Sequence, residues 1–137
     1  MTLELTSQVA AYSYRDGTLT QLGVYDMLPA DFIGESTSAE IRVSPDERFV
    51  YASNRGHDSI AAFRQNERNG TLDRIQIIST RGRVPRNFEI DPSGTILVAG
   101  NQDSHNMLTY KIDPATGILT PTGHEVRTNS PVLFYFY

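Results

Sequence analysis

The sequence has no cysteine and no tryptophan, and of its 12 basic residues only Lys111 is a lysine. Without cysteine there is no disulfide framework, no thiolate zinc site and no thiol nucleophile. No stretch approaches the roughly 20 apolar residues that a membrane helix needs. The start, Met1-Thr-Leu-Glu-Leu-Thr-Ser-Gln8, has neither the basic segment nor the apolar core of a secretory leader. A soluble, cytoplasmic protein with no membrane partner is expected. The formal charge of −4 and an isoelectric point near 5.3 are opposite to the basic field of a nucleic-acid binder. No nucleic-acid partner is therefore expected. Spacings such as His-x-His and His-Glu-x-x-His are missing, as are the Gly-x-Ser-x-Gly elbow, the P-loop and the dinucleotide fingerprint. Neither a metal nor a cofactor is expected.

What the sequence does have is arginine, short β-rich runs and repetition. Its 137 residues would suit one ordinary domain, but internal repeats change that reading. Ser44-Pro-Asp-Glu-Arg-Phe-Val-Tyr-Ala-Ser-Asn54 aligns with Asp91-Pro-Ser-Gly-Thr-Ile-Leu-Val-Ala-Gly-Asn101. Val9-Ala-Ala-Tyr12 matches Ile60-Ala-Ala-Phe63, and Gly17, Gly70 and Gly117 each precede a Thr-Leu or Ile-Leu pair. A period of about 40–50 residues with short strands is the mark of a propeller blade of four strands. The Asn69-Gly-Thr71 match to a glycosylation acceptor reads better as an Asn-Gly turn.

Runs rich in Val, Ile, Tyr, Phe and Thr, bounded by Gly, Pro, Asn or Asp, place the strands. One blade covers 39–79, with strands at 39–43, 48–53, 59–64 and 73–79. The next covers 86–126, with strands at 86–90, 95–100, 106–112 and 119–126. A partial blade over 1–25 has strands at 8–14 and 20–25, and a final strand is expected at 131–136. The fold class is all-β: a partial β-propeller of four-stranded antiparallel blades, forming a single C-terminal segment over 1–137. A ring closes with about 4–8 blades, so the open edges need either the missing blades or self-association to cover them.

Strands that run up and down put alternate loops on opposite faces. The short turns at 44–47, 91–94, 15–17, 66–70 and 113–117 fall on one face, read as structural. The loops at 26–39, 53–59, 80–87, 101–106 and 127–130 fall on the other, where a central channel opens. Arg55, after a second strand, can polarise a carbonyl or hold an anion, or simply bind loop carbonyls. Glu40 can act as base or orient Arg55, or brace the blade in an ion pair. His57, with an ordinary pKa near 6.5, can be general acid or base, or cap its loop. Arg86 is a candidate phosphate ligand, with Asn87, Asn101 and Gln102 beside it as candidate substrate-binding side chains. Arg81 and Arg83 read as solvated loop residues.

The stretch Ala39-Glu-Ile-Arg-Val-Ser-Pro-Asp-Glu-Arg-Phe-Val-Tyr-Ala-Ser-Asn-Arg-Gly-His-Asp-Ser-Ile60 resembles the signature of the seven-bladed propeller lactonases, which include the propeller-type 6-phosphogluconolactonases. Pro85-Arg-Asn-Phe-Glu-Ile-Asp-Pro-Ser-Gly94, Ala99-Gly-Asn-Gln-Asp-Ser104 and Ile112-Asp-Pro-Ala-Thr-Gly-Ile-Leu-Thr-Pro-Thr-Gly123 are similar to later parts of the same family. So are Ser130-Pro-Val132 and, with Leu3 where the family commonly has Asn, Leu3-Glu-Leu-Thr-Ser-Gln-Val9. The resemblance corresponds to the C-terminal 40% or so of a full member. It implies hydrolysis of 6-phosphoglucono-1,5-lactone to 6-phosphogluconate in the pentose phosphate pathway, with a small sugar-phosphate lactone as the partner. A fungal muconate lactonising enzyme of the same fold family has an active-site Arg that matches Arg55. The family's other active-site residues, a His, an Arg and a Glu, lie on blades N-terminal to this stretch. The implied activity is thus that of a complete ring. The competing expectation is a non-catalytic propeller module that binds a sugar phosphate or a protein.

Overall fold

The computed structural model describes all 137 residues. Its strands are β1 (Thr2–Leu3), β2 (Gln8–Arg15), β3 (Thr18–Asp26), β4 (Thr37–Val43), β5 (Phe49–Arg55), β6 (Ser59–Gln65), β7 (Leu72–Ser79), β8 (Pro85–Ile90), β9 (Ile96–Asn101), β10 (Asn106–Ile112) and β11 (Leu119–Arg127). A single 3-10 turn, Glu4–Thr6, joins β1 to β2. Three antiparallel sheets result, in the orders β1-β2-β3, β4-β5-β6-β7 and β8-β9-β10-β11. These are two complete blades preceded by the outer part of another, so the all-β partial propeller stands.

The period-2 alternation of strands explains why the blades stack. In the middle blade β5 reads Phe49-Val-Tyr-Ala52 and β6 reads Ile60-Ala-Ala-Phe63, apolar on both faces. Phe49, Tyr51, Ile60 and Ala62 join Phe88, Ile90, Leu97, Ala99, Leu108, Tyr110, Ile112 and Leu119 in one buried cluster between the second and third blades. Val50, Ala52, Ala61 and Phe63 turn the other way and pack with Val9, Met27 and Leu72 between the first and second blades. Two buried tyrosines keep a partner for the hydroxyl. Tyr51 Oη donates to Gly117 O (2.9 Å) and Tyr110 Oη donates to Ser79 O (2.9 Å). Burial pushes both phenols up, Tyr110 to about 12.

The turns of one face close on themselves. Asp16 and Gly17 both have positive φ (51° and 80°), the signature of a two-residue hairpin turn that matches strand twist. Asp91 Oδ1 accepts from Thr95 N (2.8 Å) and Ile96 N (2.7 Å). Asp113 Oδ1 accepts from Ala115 N and Thr116 N, both at 2.9 Å. In the Ser44 turn, Ser44 Oγ donates to Asp46 Oδ1 (2.6 Å) and accepts from Phe49 N (3.0 Å). Gly117 has φ 77°, and a Cβ there would stand 2.2 Å from the Phe49 ring.

One expected element is not a strand. Residues 128–137 form no ladder, which corrects the strand expected at 131–136. No strand of the structure lies beside this segment to pair with it. Phe134 and Pro131 pack over Gly100 of β9, where a Cβ would meet the Phe134 ring at 2.4 Å. The chain enters this position as it enters β8. Thr80 N donates to Asp58 O and Thr128 N to His105 O, both at 2.9 Å. Val84 N then donates to Asp58 Oδ1 (2.9 Å) and Ser130 N to His105 Nδ1 (3.2 Å). Pro131-Val-Leu-Phe-Tyr-Phe136 therefore follows its blade as Pro85-Arg-Asn-Phe-Glu-Ile90 follows the one before, but without forming a strand.

Candidate functional site

The second strand of each blade ends at the channel face. Register puts Thr2 opposite Val9 and Leu3 opposite Gln8, as Ser53 lies opposite Ile60 and Asn54 opposite Ser59. Glu4 therefore occupies in the first blade the place of Arg55 in the second and Gln102 in the third. These three residues hold equivalent positions on one face of the blades. Arg55 Nη2 donates to Glu4 Oε1 (2.5 Å) and to Ser38 O (3.1 Å). Arg86 Nη1 donates to Gln102 Oε1 at 3.4 Å.

A polar cleft of about 200 Å3 lies between them, lined by Thr2, Glu4, Ser38, Ala39, Arg55 and Arg86. Arg55 is largely sheltered, its side chain 23% exposed against 63% for Glu4. Its Nε is buried without a partner, as is Ser38 Oγ at the same wall. The second oxygen of Glu4 makes no hydrogen bond within the chain. Two guanidinium groups against one carboxylate leave the cleft positive, in a protein that is negative overall. That is a field suited to an anion, with fork-shaped donors for a phosphate or a developing oxyanion.

The other candidates lie elsewhere on this face. Glu40 does not orient Arg55. Its Oε2 accepts from Asn87 Nδ2 at 2.5 Å, and its Oε1 accepts from Ile41 N at 3.0 Å and pairs with Arg42 Nη1. Arg42 Nε in turn pairs with Glu89 Oε1 at 3.0 Å. Glu40 and Asn87 are repeat equivalents, and so are Arg42 and Glu89. The innermost strands β4 and β8 are thus tied by bonds between equivalent positions. This is the bracing alternative for Glu40, and it occupies Asn87 as well. His57 Nδ1 lies 2.7 Å from Ser59 Oγ, and its ring meets Phe32 edge-on at 4.8 Å. It sits as a loop cap outside the cleft. Asn101 is fully buried and donates from Nδ2 to Thr80 O at 3.0 Å. Its repeat equivalent Asn54 likewise donates to Met27 O at 3.2 Å. Both clamp the crossover from the preceding blade. Of the seven candidates, the cleft gathers Arg55 and Arg86, with Gln102 at its rim through Arg86. No group of three or more His, Asp or Glu side chains is gathered as for a metal ion.

Glu4 and Ser38 were not legible as site residues. Glu4 follows a strand of only two residues, too short to register as a run. Aligning the first blade's Leu3-Glu4 with Asn54-Arg55 is the signal that finds it. The largest cleft, about 540 Å3, is a different kind of place. It lies between the first and second blades and is lined mainly by apolar residues, including Ala11, Leu22, Ile41, Val43, Val50 and Leu72. It holds no arrangement of acid, base or nucleophile. No helix is long and apolar enough to cross a membrane.

Comparison with known proteins points the same way. A family described as "Lactonase, 7-bladed beta-propeller" matches residues 1–136. A 6-phosphogluconolactonase of Bacillus subtilis is 38% identical over 135 residues, which is 97% of this chain and 39% of that protein. A 6-phosphogluconolactonase of Formosa agariphila is 41% identical over 128 residues, covering 92% of this chain and 36% of its own. The solved structure of a periplasmic gluconolactonase from Pseudomonas aeruginosa superposes with a TM-score of 0.89 at 32% identity, over 94% of this chain and 36% of that one. The chain spans less than two-fifths of the length of each.

Proposed function

The chain belongs to the seven-bladed β-propeller lactonase family, and from that premise we propose that it carries part of the active site of a sugar-lactone hydrolase. The observation behind this is the cleft in which Arg55, Arg86 and Glu4 converge. The substrate class follows from the relatives named 6-phosphogluconolactonase and from the positive cleft: 6-phosphoglucono-1,5-lactone. Arg55 donates to the lactone carbonyl oxygen. Water adds to the carbonyl carbon, and the oxyanion that forms is held by the sheltered guanidinium. Glu4, through its free oxygen, accepts the proton of that water. The ring C–O bond then breaks, its electron pair stays on the ring oxygen, and the proton passes there to give the hydroxy acid. Arg86 binds the phosphate. The same reading carries a cytoplasmic location and a role in the pentose phosphate pathway.

A non-catalytic sugar-phosphate-binding module is the second reading. It is favoured by Glu40, Asn87 and Asn101, whose side chains are spent on holding the blades together rather than on the cleft. One assay separates the two. Lactone hydrolysis by the purified chain is compared with the spontaneous rate, for the wild type and for Arg55→Ala. Activity that falls roughly 100-fold in kcat/KM on losing Arg55 supports the hydrolase. Hydrolysis at the spontaneous rate, with the phosphorylated product still bound through Arg86, supports the module. Full activity in Arg55→Ala removes Arg55 from the mechanism.

A further inference from the structure

The innermost strands β4 and β8 each carry a bulge at the same repeat position. In β4, Ala39 and Glu40 lie between the pairs Ser38–Asn54 and Ile41–Ala52, and together face only Ser53. In β8, Arg86 falls between the pairs Pro85–Asn101 and Asn87–Gly100, with no residue opposite it. The repeat makes Ala39 the equivalent of Arg86, and Glu40 that of Asn87, 47 residues on. Both bulged residues line the polar cleft. A bulge inserts one residue and re-aims a side chain, which is why bulges gather beside functional sites. In β8 it breaks the alternation of the strand. Arg86 is exposed, while Asn87 and Phe88 after it are both buried.

The two bulges are held differently. In β4, Ser53 Oγ accepts from Glu40 N at 3.1 Å. Gly100 stands at the equivalent place in β9 and has no hydroxyl to offer. The β8 bulge is held from the neighbouring blade instead, where Asn87 Nδ2 donates to Glu40 Oε2 at 2.5 Å. Asn87 is 4% exposed and its Oδ1 has no partner, so this bond alone orients the amide. Glu40 is itself fixed, since its Oε1 accepts from Ile41 N at 3.0 Å and pairs with Arg42. A bond to a carboxylate is shorter and stronger than a neutral one. By contrast, the side-chain contact of Arg86 with Gln102 is long, at 3.4 Å.

We infer that Glu40 is a positioning residue: through Asn87 it fixes the β8 bulge, and the bulge aims Arg86 at the phosphate of the ligand. This role rests on the phosphate contact proposed for Arg86. It gives the bond between blades a part in recognition, because a misplaced Arg86 costs only ligands that carry a phosphate.

The test is calorimetric titration of 6-phosphogluconate and of gluconate into the wild-type chain and a set of variants. Asn87→Asp sets two carboxylates against each other and breaks the bond. Glu40→Gln keeps a weaker, neutral bond. Glu40→Gln combined with Asn87→Asp restores the bond with donor and acceptor exchanged, at the wild-type charge. Asn87→Asp is expected to weaken 6-phosphogluconate binding roughly tenfold and gluconate binding less than about twofold. Glu40→Gln is expected to weaken 6-phosphogluconate about threefold, and it carries the test if circular dichroism shows Asn87→Asp unfolded. The exchanged pair is expected within about twofold of the wild type, and Asn87→Asp is expected to add nothing once Arg86→Ala is in place. Equal losses for both ligands, an exchanged pair that is not rescued, or unchanged binding in both single variants overturns the positioning role and leaves Arg86 on the phosphate. So does a further loss in the Arg86→Ala background, which would mean that the new carboxylate repels the phosphate directly. Wild-type affinity for 6-phosphogluconate in Arg86→Ala removes the phosphate contact itself, and the positioning role with it.

Discussion

The two faces of the blade stack are made of similar amounts of loop but treat their polar groups in opposite ways. On the turn face, Asp46, Asp91 and Asp113 each satisfy their own turn with short local hydrogen bonds. On the channel face lie all six of the buried polar atoms that have no partner: Ser7 Oγ, Ser38 Oγ, Asn54 Oδ1, Arg55 Nε, Asn87 Oδ1 and Asn101 Oδ1. Orphaned buried polar atoms are costly and usually mark strain, ordered water or a binding function. Local turns make one face rigid and self-contained. The other face is assembled from residues distant in sequence and keeps polar groups uncommitted.

The contrast gives graded expectations. Gly117→Ala strikes the turn face hardest. It forces an L side chain into φ 77° and drives a methyl into Phe49. A loss of roughly 2–4 kcal/mol in urea-melt stability is expected, with no change in which ligands bind. A loss under about 1 kcal/mol would show that the turn can relax. Arg55→Ala is the matching change on the channel face. It should cost roughly 100-fold in kcat/KM, about 2.7 kcal/mol of transition-state stabilisation, in any ring that is active, while stability moves less than about 1 kcal/mol. Equal loss of stability and activity would make Arg55 a brace.

Asp91→Ala comes next. It removes an acceptor serving Ser93, Thr95 and Ile96, and a loss of about 1–2 kcal/mol in thermal melts is expected. The smallest effect is expected from Ser38→Ala, which deletes a hydroxyl that no group in the chain uses. Stability should stay within about 0.5 kcal/mol.

Acid titration separates the faces by a different route. The Ser44 hydroxyl, with help from Arg48, holds Asp46 below the ordinary carboxylate value. Burial pushes Asp91 up, but bonds from the Ser93 hydroxyl and the backbone amides of Ile96, Thr95 and Ser93 outweigh it. Asp113 is lowered chiefly by the Thr116 amide. The folded chain therefore binds fewer protons at these sites than the unfolded chain. Their contribution to stability is complete above the ordinary value of 3.8 and drains away as pH falls through the lowered values. Melts in Asp91→Ala should show a shallower loss of stability below pH 4 than the wild type. An unchanged acid limb would take Asp91 out of the account.

Much of this arrangement was readable from residues alone. The Asp-Pro-Ser-Gly and Asn-Gly turns and the repeat of Ile60-Ala-Ala-Phe63 in Val9-Ala-Ala-Tyr12 placed ten of the eleven strands. Local backbone chemistry is short-range, so sequence carries it. Glu40 and Arg42 were harder, because their partners Asn87 and Glu89 lie 47 residues away on another strand. Spacing alone does not say whether a carboxylate faces a channel or a neighbouring arginine. The same holds for Asn101, polar in sequence but sealed inside as a crossover clamp. Glu4 stayed hidden because the strand before it is only two residues long.

On the proposed function, Arg55 and Arg86 bind a phosphorylated sugar acid on the channel face, and the turn face plays no part. The most direct measurement is a titration of 6-phosphogluconate followed by phosphorus NMR, on the wild type, Arg86→Ala and Asp91→Ala. Binding weakened about tenfold or more in Arg86→Ala, worth at least about 1.4 kcal/mol, and unchanged in Asp91→Ala is the expected result. Equal binding in all three, or a loss confined to Asp91→Ala, would contradict it.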